Sequence, residues 1–460
     1  MVSIEFLYFF IPVFMGLYAA AGVKRRRAAF LLGTVALLLW ISPLGLIPLT
    51  LCTLFSYIFG RLIGSAEKSG AKKLWLFLAV LVNAAAFLLF FRSNYINADI
   101  TSVVTGGKGV IKLFAAYGAG VFTLHGISYC TDVYRGDIKA EKNFLLTAQY
   151  ISFFPSLACG PLLRFCDMSE QLRKPVITSD KLAEGIKIML IGFVEKLLLS
   201  NSMFQVWQHI RAVNVQNLSA VCGWLGMIAF SFSFYYEFRA YSHIAKGLGL
   251  MTGFDIPDNF DQPFMSAGLN EFIKRFCMTL YQWLKDYIYR PLSRRSDKLS
   301  LPAMFVAVMI GSMWFGFGRR TLIWAAFICL VLGIEYILKK VLIVIPGAVR
   351  CAVMNIVYLI GLPFLAFENI SDACGYIIAM FGGGSFAGDV LALYVVKTSA
   401  VMFIICAFFA TGICRSLKKR IDAMSSNITV IIQPLITIGF LLLCTAFLVG
   451  GGRQLTNFLF

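Results

Sequence analysis

The stretch KLWLFLAVLVNAAAFLLFFR, residues 73–92, carries the reading of the fold. Between Lys73 and Arg92 it runs without a charged residue. That is the length and character of a helix crossing a hydrocarbon core of ~30 Å. Its apolar residues are continuous rather than alternating, which argues against a barrel strand. An open sheet edge at that depth would leave backbone polar groups unsatisfied, whereas a helix satisfies its own. The segment is expected to span a membrane as a helix.

The same pattern continues in both directions. Toward the N-terminus, apolar runs lie at about 5–22, 28–42 and 45–64. Toward the C-terminus, a more broken region covers about 110–135 and 143–163. Stronger runs resume at about 181–201, 218–240, 300–317, 321–345, 351–369, 391–413 and 427–449. This predicts an all-α polytopic integral membrane protein with about 11–13 membrane elements in a single membrane domain over 1–460. Composition agrees: 59% of the residues are hydrophobic and 14% charged, with mean hydropathy +0.80. A soluble domain has about 45–50% apolar residues and about a quarter charged. No polar stretch is long enough to hold one. No internal repeat of the kind found in inverted-repeat transporters is visible.

The net charge of +18 comes from 41 Lys and Arg against 23 Asp and Glu. In a soluble chain it would suggest nucleic acid as partner. Here the basic residues collect in short loops: Lys24-Arg25-Arg26-Arg27, Arg294-Arg295, and RSLKKR from Arg415 to Arg420. Such loops mark the cytoplasmic side of a membrane protein, and no polar fold exists to carry a nucleic-acid site. The 12 cysteines form no CxxC pair and no metal-like spacing with the three histidines. Most, such as Cys52, Cys329 and Cys406, sit inside apolar runs as small hydrophobes. The N-terminal run lacks a small-residue cleavage site and reads as a retained first helix.

The middle of the chain is different. Between about 125 and 320, apolar residues mix with Asp132, Arg135, Arg164, Glu237, Arg239, His243, Lys274, Arg275, Lys285 and Asp286. Ionisable residues near a membrane face a protein interior, a cavity or an interface. Pro155, Pro161, Pro257, Pro263 and Pro291 interrupt helices in the same region. Broken helices at membrane depth line cavities, so chemistry is expected here. Residues 270–292 interleave Tyr281, Trp283, Tyr287 and Tyr289 with Lys274, Arg275, Lys285 and Arg290. That amphipathic pattern suits a helix lying in the headgroup interface. Arg164 reads either as a binder of an anionic substrate group or as a side chain snorkelling to lipid phosphate.

An ordered set of motifs resembles the membrane-bound O-acyltransferase (MBOAT) family. They are GISYCTDVYRG at 126–136, YISFFPSLACGPLLRF at 150–165, IGFVEKLLLSNSM at 191–203, FSFYYEFRAYSHIAKGLGLMTGFDIPDNFDQPF at 232–264, EFIKRFCMTLYQWLKDYIYRPL at 271–292 and MWFGFGRRTLIWAAF at 313–327. FENISDACGYIIAMFGG at 367–383 and the C-terminal NFLF fit more loosely. The resemblance covers roughly residues 30–460, in the bacterial branch with the alginate O-acetylation and D-alanyl-teichoic-acid transfer proteins. It implies a ring of tilted helices around a central funnel. N-terminal helices would occupy about 1–100, the funnel core about 110–345 and C-terminal helices about 346–460. It further implies an acyl donor as co-substrate, a thioester of coenzyme A or of an acyl carrier protein, arriving from the cytoplasmic side. The acceptor is a hydroxyl of an exported cell-envelope polymer. Membrane lipid and accessory acylation proteins join the implied partners, with no bound cofactor and no metal. The implied location is a bacterial plasma membrane.

Acyl transfer needs a base near neutral pH, for which histidine is suited, and donors for the developing oxyanion. At the family's Trp-His-Gly motif this chain reads Trp314-Phe315-Gly316. A second family histidine falls at Cys277. Phe315 takes no proton. Cys277 reads either as a thiol nucleophile or acyl carrier, or as a buried inert thiol. His243 stands where relatives carry aspartate, with Glu237 and Tyr241 near it in sequence; it reads as a relocated base or as a histidine satisfied in a polar core. His125 replaces a common glutamine, and His209 has no role. By resemblance, Asp132, Arg135, Arg164, Glu237, Trp283, Asp286, Tyr287 and Trp314 line the substrate path. Three readings are weighed: an O-acyltransferase with a non-standard centre; a catalytically silent relative that binds an acyl donor, a lipid or partner proteins; and a transporter or flippase that only resembles the family, against which the lack of repeat symmetry and the density of matched motifs argue.

Overall fold

The structure is a computed structural model that describes residues 2–90, 116–294, 299–316, 318–383, 390–412 and 426–450. The sequence readings at 110–115, Arg295, Arg415–Arg420 and NFLF lie outside the described residues. Among the described residues every regular element is helical and there is no strand. The helices Pro43–Ser65, Ser69–Phe90, Arg319–Ile337, Gly347–Ala366 and Val390–Ala410 are long and apolar enough to cross a membrane. Phe6–Ala20, Ser300–Phe315, Ile370–Met380 and Pro434–Val449 are shorter apolar helices. Contacts cluster into two compact units.

The first unit comprises Met1–Met189 with Tyr241–Pro257. Its helices Leu46–Ser65, Ser69–Phe90 and Ala119–Arg135 pack on one another. Gly126 allows their close approach, because a Cβ there would lie 2.5 Å from both Asn83 Oδ1 and Ser56 Oγ. The same Asn83 donates to Ser56 Oγ at 3.1 Å and to the Ala79 carbonyl at 2.9 Å. Small residues and hydrogen bonds of this kind hold helices together where lipid supplies no hydrophobic drive. Phe6, Phe10, Phe14 and Tyr18, spaced one helical turn apart, stack in series at 5.3, 5.9 and 5.6 Å. The expected span at 143–163 is not one helix. Phe144–Ile151, capped by the Asn143 side chain, stops at Ser152, and the chain runs through a short 3-10 turn at Phe154–Ser156 to Arg164. Pro155 and Pro161 lack the N–H a helix needs.

The second unit comprises Leu190–Ala240 with Asp258–Leu459. The helical run through Ser179–Val194, Glu195–Ser200 and Asn201–Arg211 belongs to it from Leu190 onward, and the helix Ala220–Met251 belongs to it up to Ala240. Both carry ionisable residues near their middles: Glu195 and Lys196 on one, Glu237 and Arg239 on the other. Segment 270–292, expected as one interfacial helix, is divided into Leu269–Arg275, Met278–Leu284, a π-turn at Lys285–Tyr289 and Arg290–Ser293.

Candidate functional site

The division of that segment builds the site. Cys277 has φ 56° and ψ 59°, a left-handed conformation that residues with a side chain seldom adopt. Asn259 holds the corner. Its carbonyl accepts the Met278 N–H at 2.7 Å, and its Oδ1 accepts from the Thr279 N–H at 3.0 Å and the Thr279 hydroxyl at 2.8 Å. Its Nδ2 lies 3.9 Å from Cys277 Sγ. Asp261 N–H donates to the Arg275 carbonyl at 3.0 Å, which fixes the chain on the other side of the break.

Cys277, Phe315 and Trp324 line one cavity of about 430 Å³ within the second unit. Phe315 stands among rings: Phe238 at 5.3 Å, Phe234 at 5.5 Å, Trp324 at 5.6 Å and Phe276 at 6.3 Å between centroids. The lining includes Lys274 and Lys285 but no aspartate, glutamate or histidine. It therefore offers a thiol, hydroxyls and cations, and no residue with the ordinary pKa of a general base.

The structure thus brings together Cys277 and Phe315, two residues that the sequence motifs single out. Other sequence-derived candidates lie elsewhere. Trp314 is buried beside Phe315 in the turn Met313–Phe315, without lining the cavity. Trp283 is buried and packs against Tyr287, ring centroids 5.1 Å apart and tilted by 42°. Asp286, also buried, accepts from Gln282 Nε2 at 2.7 Å and Arg290 Nη1 at 2.5 Å. These three side chains are absent from the cavity lining, which takes Leu280, Tyr281, Leu284, Lys285 and Tyr289 from the same run. Glu237 is held by Lys196 Nζ at 2.5 Å and Ser200 Oγ at 2.8 Å, with both members of the ion pair 2% exposed. Arg239 pairs with Glu195 at 3.3 Å and donates to the Phe409 carbonyl at 3.0 Å.

The remaining candidates belong to the first unit. Asp132 is buried on Ala119–Arg135, and Arg135 at its end is exposed. Arg164 is half-buried and grips Asp167 through two contacts, 2.8 and 3.2 Å. Next to it the Cys166 thiol is pushed up to about 11, first by partial burial and then by the Asp167 carboxylate. His125 is fully buried; its Nε2 accepts the Leu163 N–H at 3.2 Å and its ring stacks on Tyr150 at 4.8 Å. It pins the irregular segment before Arg164. His243 is half-buried on the last part of Ala220–Met251 and does not line the cavity. His209 is exposed. Among the described residues no group of three or more His, Cys, Asp or Glu side chains is placed to hold a metal.

Sequence reading passed over Asn259 and took Tyr281, Lys285 and Tyr289 as part of an interfacial amphipathic helix rather than as one cavity face. The signal for the face was present: counted from Cys277, positions 280, 281, 284 and 285 share one side of a helix.

Comparison with known proteins gives this geometry its family. Residues 132–357 match the model of MBOAT, the membrane-bound O-acyltransferase family. The chain is 32% identical over 392 residues to the Probable alginate O-acetylase AlgI of Pseudomonas aeruginosa, covering 83% of this chain and 74% of that protein. It is 24% identical over 299 residues to the Peptidoglycan O-acetyltransferase of Helicobacter pylori, 59% of this chain and 56% of that one. With the Teichoic acid D-alanyltransferase of Bacillus subtilis the identity is 23% over 234 residues, 47% and 58% of the two chains. An all-helical, membrane-embedded chain with these motifs in this order belongs to the membrane-bound O-acyltransferase family.

Proposed function

We propose that this protein works as a single membrane domain in a bacterial plasma membrane and transfers an acyl group, acetyl or similar, to a hydroxyl of an exported cell-envelope polymer. The donor is a thioester of coenzyme A or of an acyl carrier protein on the cytoplasmic side, and accessory acylation proteins are its natural partners. The relatives' names, which refer to alginate, peptidoglycan and teichoic acid, support the acceptor class. One observation carries the reading: Cys277 and Phe315, at the positions of the family's two histidines, share one cavity. The site is kept while both imidazoles are gone.

In this reading Cys277 Sγ attacks the thioester carbonyl while its proton passes to the departing donor thiol. The acceptor hydroxyl then attacks the acyl–sulfur bond, the C–S bond breaks, and the hydroxyl proton returns to Cys277 Sγ. The Asn259 amide beside Sγ orients the thiol. His243 is the competing candidate for a relocated base. A second reading, a silent member that only binds, is favoured by the rings packed around Phe315.

The test is alkali-labile ester on the cell envelope of a deletion strain complemented with wild type, Cys277→Ala, His243→Ala or Phe315→His. Wild type is expected to restore ester, and Cys277→Ala to fall toward the empty vector. Loss with His243→Ala alone would move the chemistry to the histidine. Ester restored only by Phe315→His would mark a member silenced at one residue. No ester from wild type or any variant would leave the binding reading in its place.

A further inference from the structure

The arginines at the start of the helix Gly22–Ile41 take no part in the site at Cys277. Arg25, Arg26 and Arg27 occupy its first turns, and that end of the helix has no acidic residue and no side-chain cap. Positive charge at the positive end of a helix dipole is unfavourable unless an anion balances it. Glu141 balances part of it. Buried, it pairs with Arg173 and acts on Arg27, whose Nη2 also donates to the Leu172 carbonyl at 3.3 Å. Arg173 itself stays more than half exposed. Among the described residues Arg25 and Arg26 form no ion pair, and the Nε atoms of Arg26 and Arg27 are buried without a hydrogen-bond partner. Beyond the arginines the same helix turns apolar. Leu32, Val35 and Leu39 are exposed at three- and four-residue steps, and the exposed Arg25 lies seven positions before Leu32 on that stripe. One helix face therefore carries a cation at its end and bare aliphatic surface along its length, in a chain embedded in lipid.

We propose that this corner of the first unit binds one anionic phospholipid of the bilayer, its phosphate on Arg25 and Arg26 and its chains along Leu32, Val35 and Leu39. Guanidinium forks match phosphate oxygens, and basic residues clustered at the end of a membrane helix attract anionic headgroups. A zwitterionic lipid offers the same chains without the net charge, so the cations do the selecting. The bound phosphate supplies the anion that the helix end lacks. It thereby steadies the place where Gly22–Ile41 meets the end of Phe165–Arg173 through Arg27. None of these residues lines the cavity at Cys277, and lipid binding is read directly, so the inference stands or falls apart from acyl transfer.

The test titrates the delipidated full chain in neutral detergent with phosphatidylglycerol or phosphatidylcholine of matched chains, and native mass spectrometry counts the bound lipid. Phosphatidylglycerol should saturate a site that it fills about thirtyfold more tightly than phosphatidylcholine, near fivefold for each of the two cations. Arg25→Gln with Arg26→Gln should erase that preference. Arg25→Lys with Arg26→Lys keeps the charge and should keep the preference. Lys72→Gln with Lys73→Gln, an equal loss of charge at the start of Ser69–Phe90, should leave binding unchanged. Leu32→Gln should weaken both lipids alike. Four results would overturn the site. They are an undiminished preference in the glutamine variant, the same loss with lysine or in the Lys72 and Lys73 variant, no preference in wild type, and displacement by millimolar inorganic phosphate.

Discussion

Phenylalanine at 315 and cysteine at 277 give the cavity an apolar wall and one thiol. How Cys277 is held is testable at the same scale. Its left-handed backbone depends on Asn259, whose Oδ1 serves both the amide and the hydroxyl of Thr279. In Asn259→Ala those donors lose their acceptor in a buried corner, and a loss of about 1–3 kcal/mol is expected from thermal or denaturant unfolding. Asn259→Asp keeps the acceptor and should lie close to wild type. Equal losses in the two would show that the side-chain oxygen is not what holds the turn. Sequence alone singled out positions 277 and 315, which the structure sets on one cavity, because a motif resemblance falls on them. It did not mark Tyr281, Lys285 and Tyr289, because aromatic and basic residues in one stretch also describe an interfacial anchor. Only the turn of the helix separates the cavity face from Trp283, Asp286 and Tyr287.

Elements were legible where their own residues determine them. Pro43–Ser65 and Ser69–Phe90 follow from apolar length alone. The break at Cys277 was not, because it is imposed by Asn259, 18 positions earlier in the chain. Nor was the pairing of the two long helices through Lys196–Glu237 and Glu195–Arg239. The Lys196–Glu237 pair is deeply buried, so removing one member takes from the other its buried ion-pair partner. Lys196→Met or Glu237→Met should each destabilise the protein by about 3–5 kcal/mol, and the double replacement should recover most of that. Thermal unfolding in detergent measures all three. A double variant no better than the single ones would show that the contact does not act as a pair.

Lys24–Arg27, expected in a loop, lie in the first turns of the helix Gly22–Ile41; basic residues at helix ends still carry the orientation signal. The loop at Arg294 should face the cytoplasm. Leu292→Cys, with Cys414 and the exposed Cys166 and Cys374 changed to Ser, should react with a membrane-impermeant maleimide in inverted vesicles and not in intact cells. The opposite labelling would reverse the orientation read from charge. The buried charges also constrain how the protein is made. Handed to lipid singly by the insertion machinery, each of the two long helices would carry two ionisable side chains near its middle. Each such side chain at the centre of a bilayer costs roughly 2.5–3.5 kcal/mol on insertion scales. Only the short connection around Val215–Asn217 separates the two helices. Paired through Lys196–Glu237 and Glu195–Arg239, the two form a hairpin whose charges are neutralised from within.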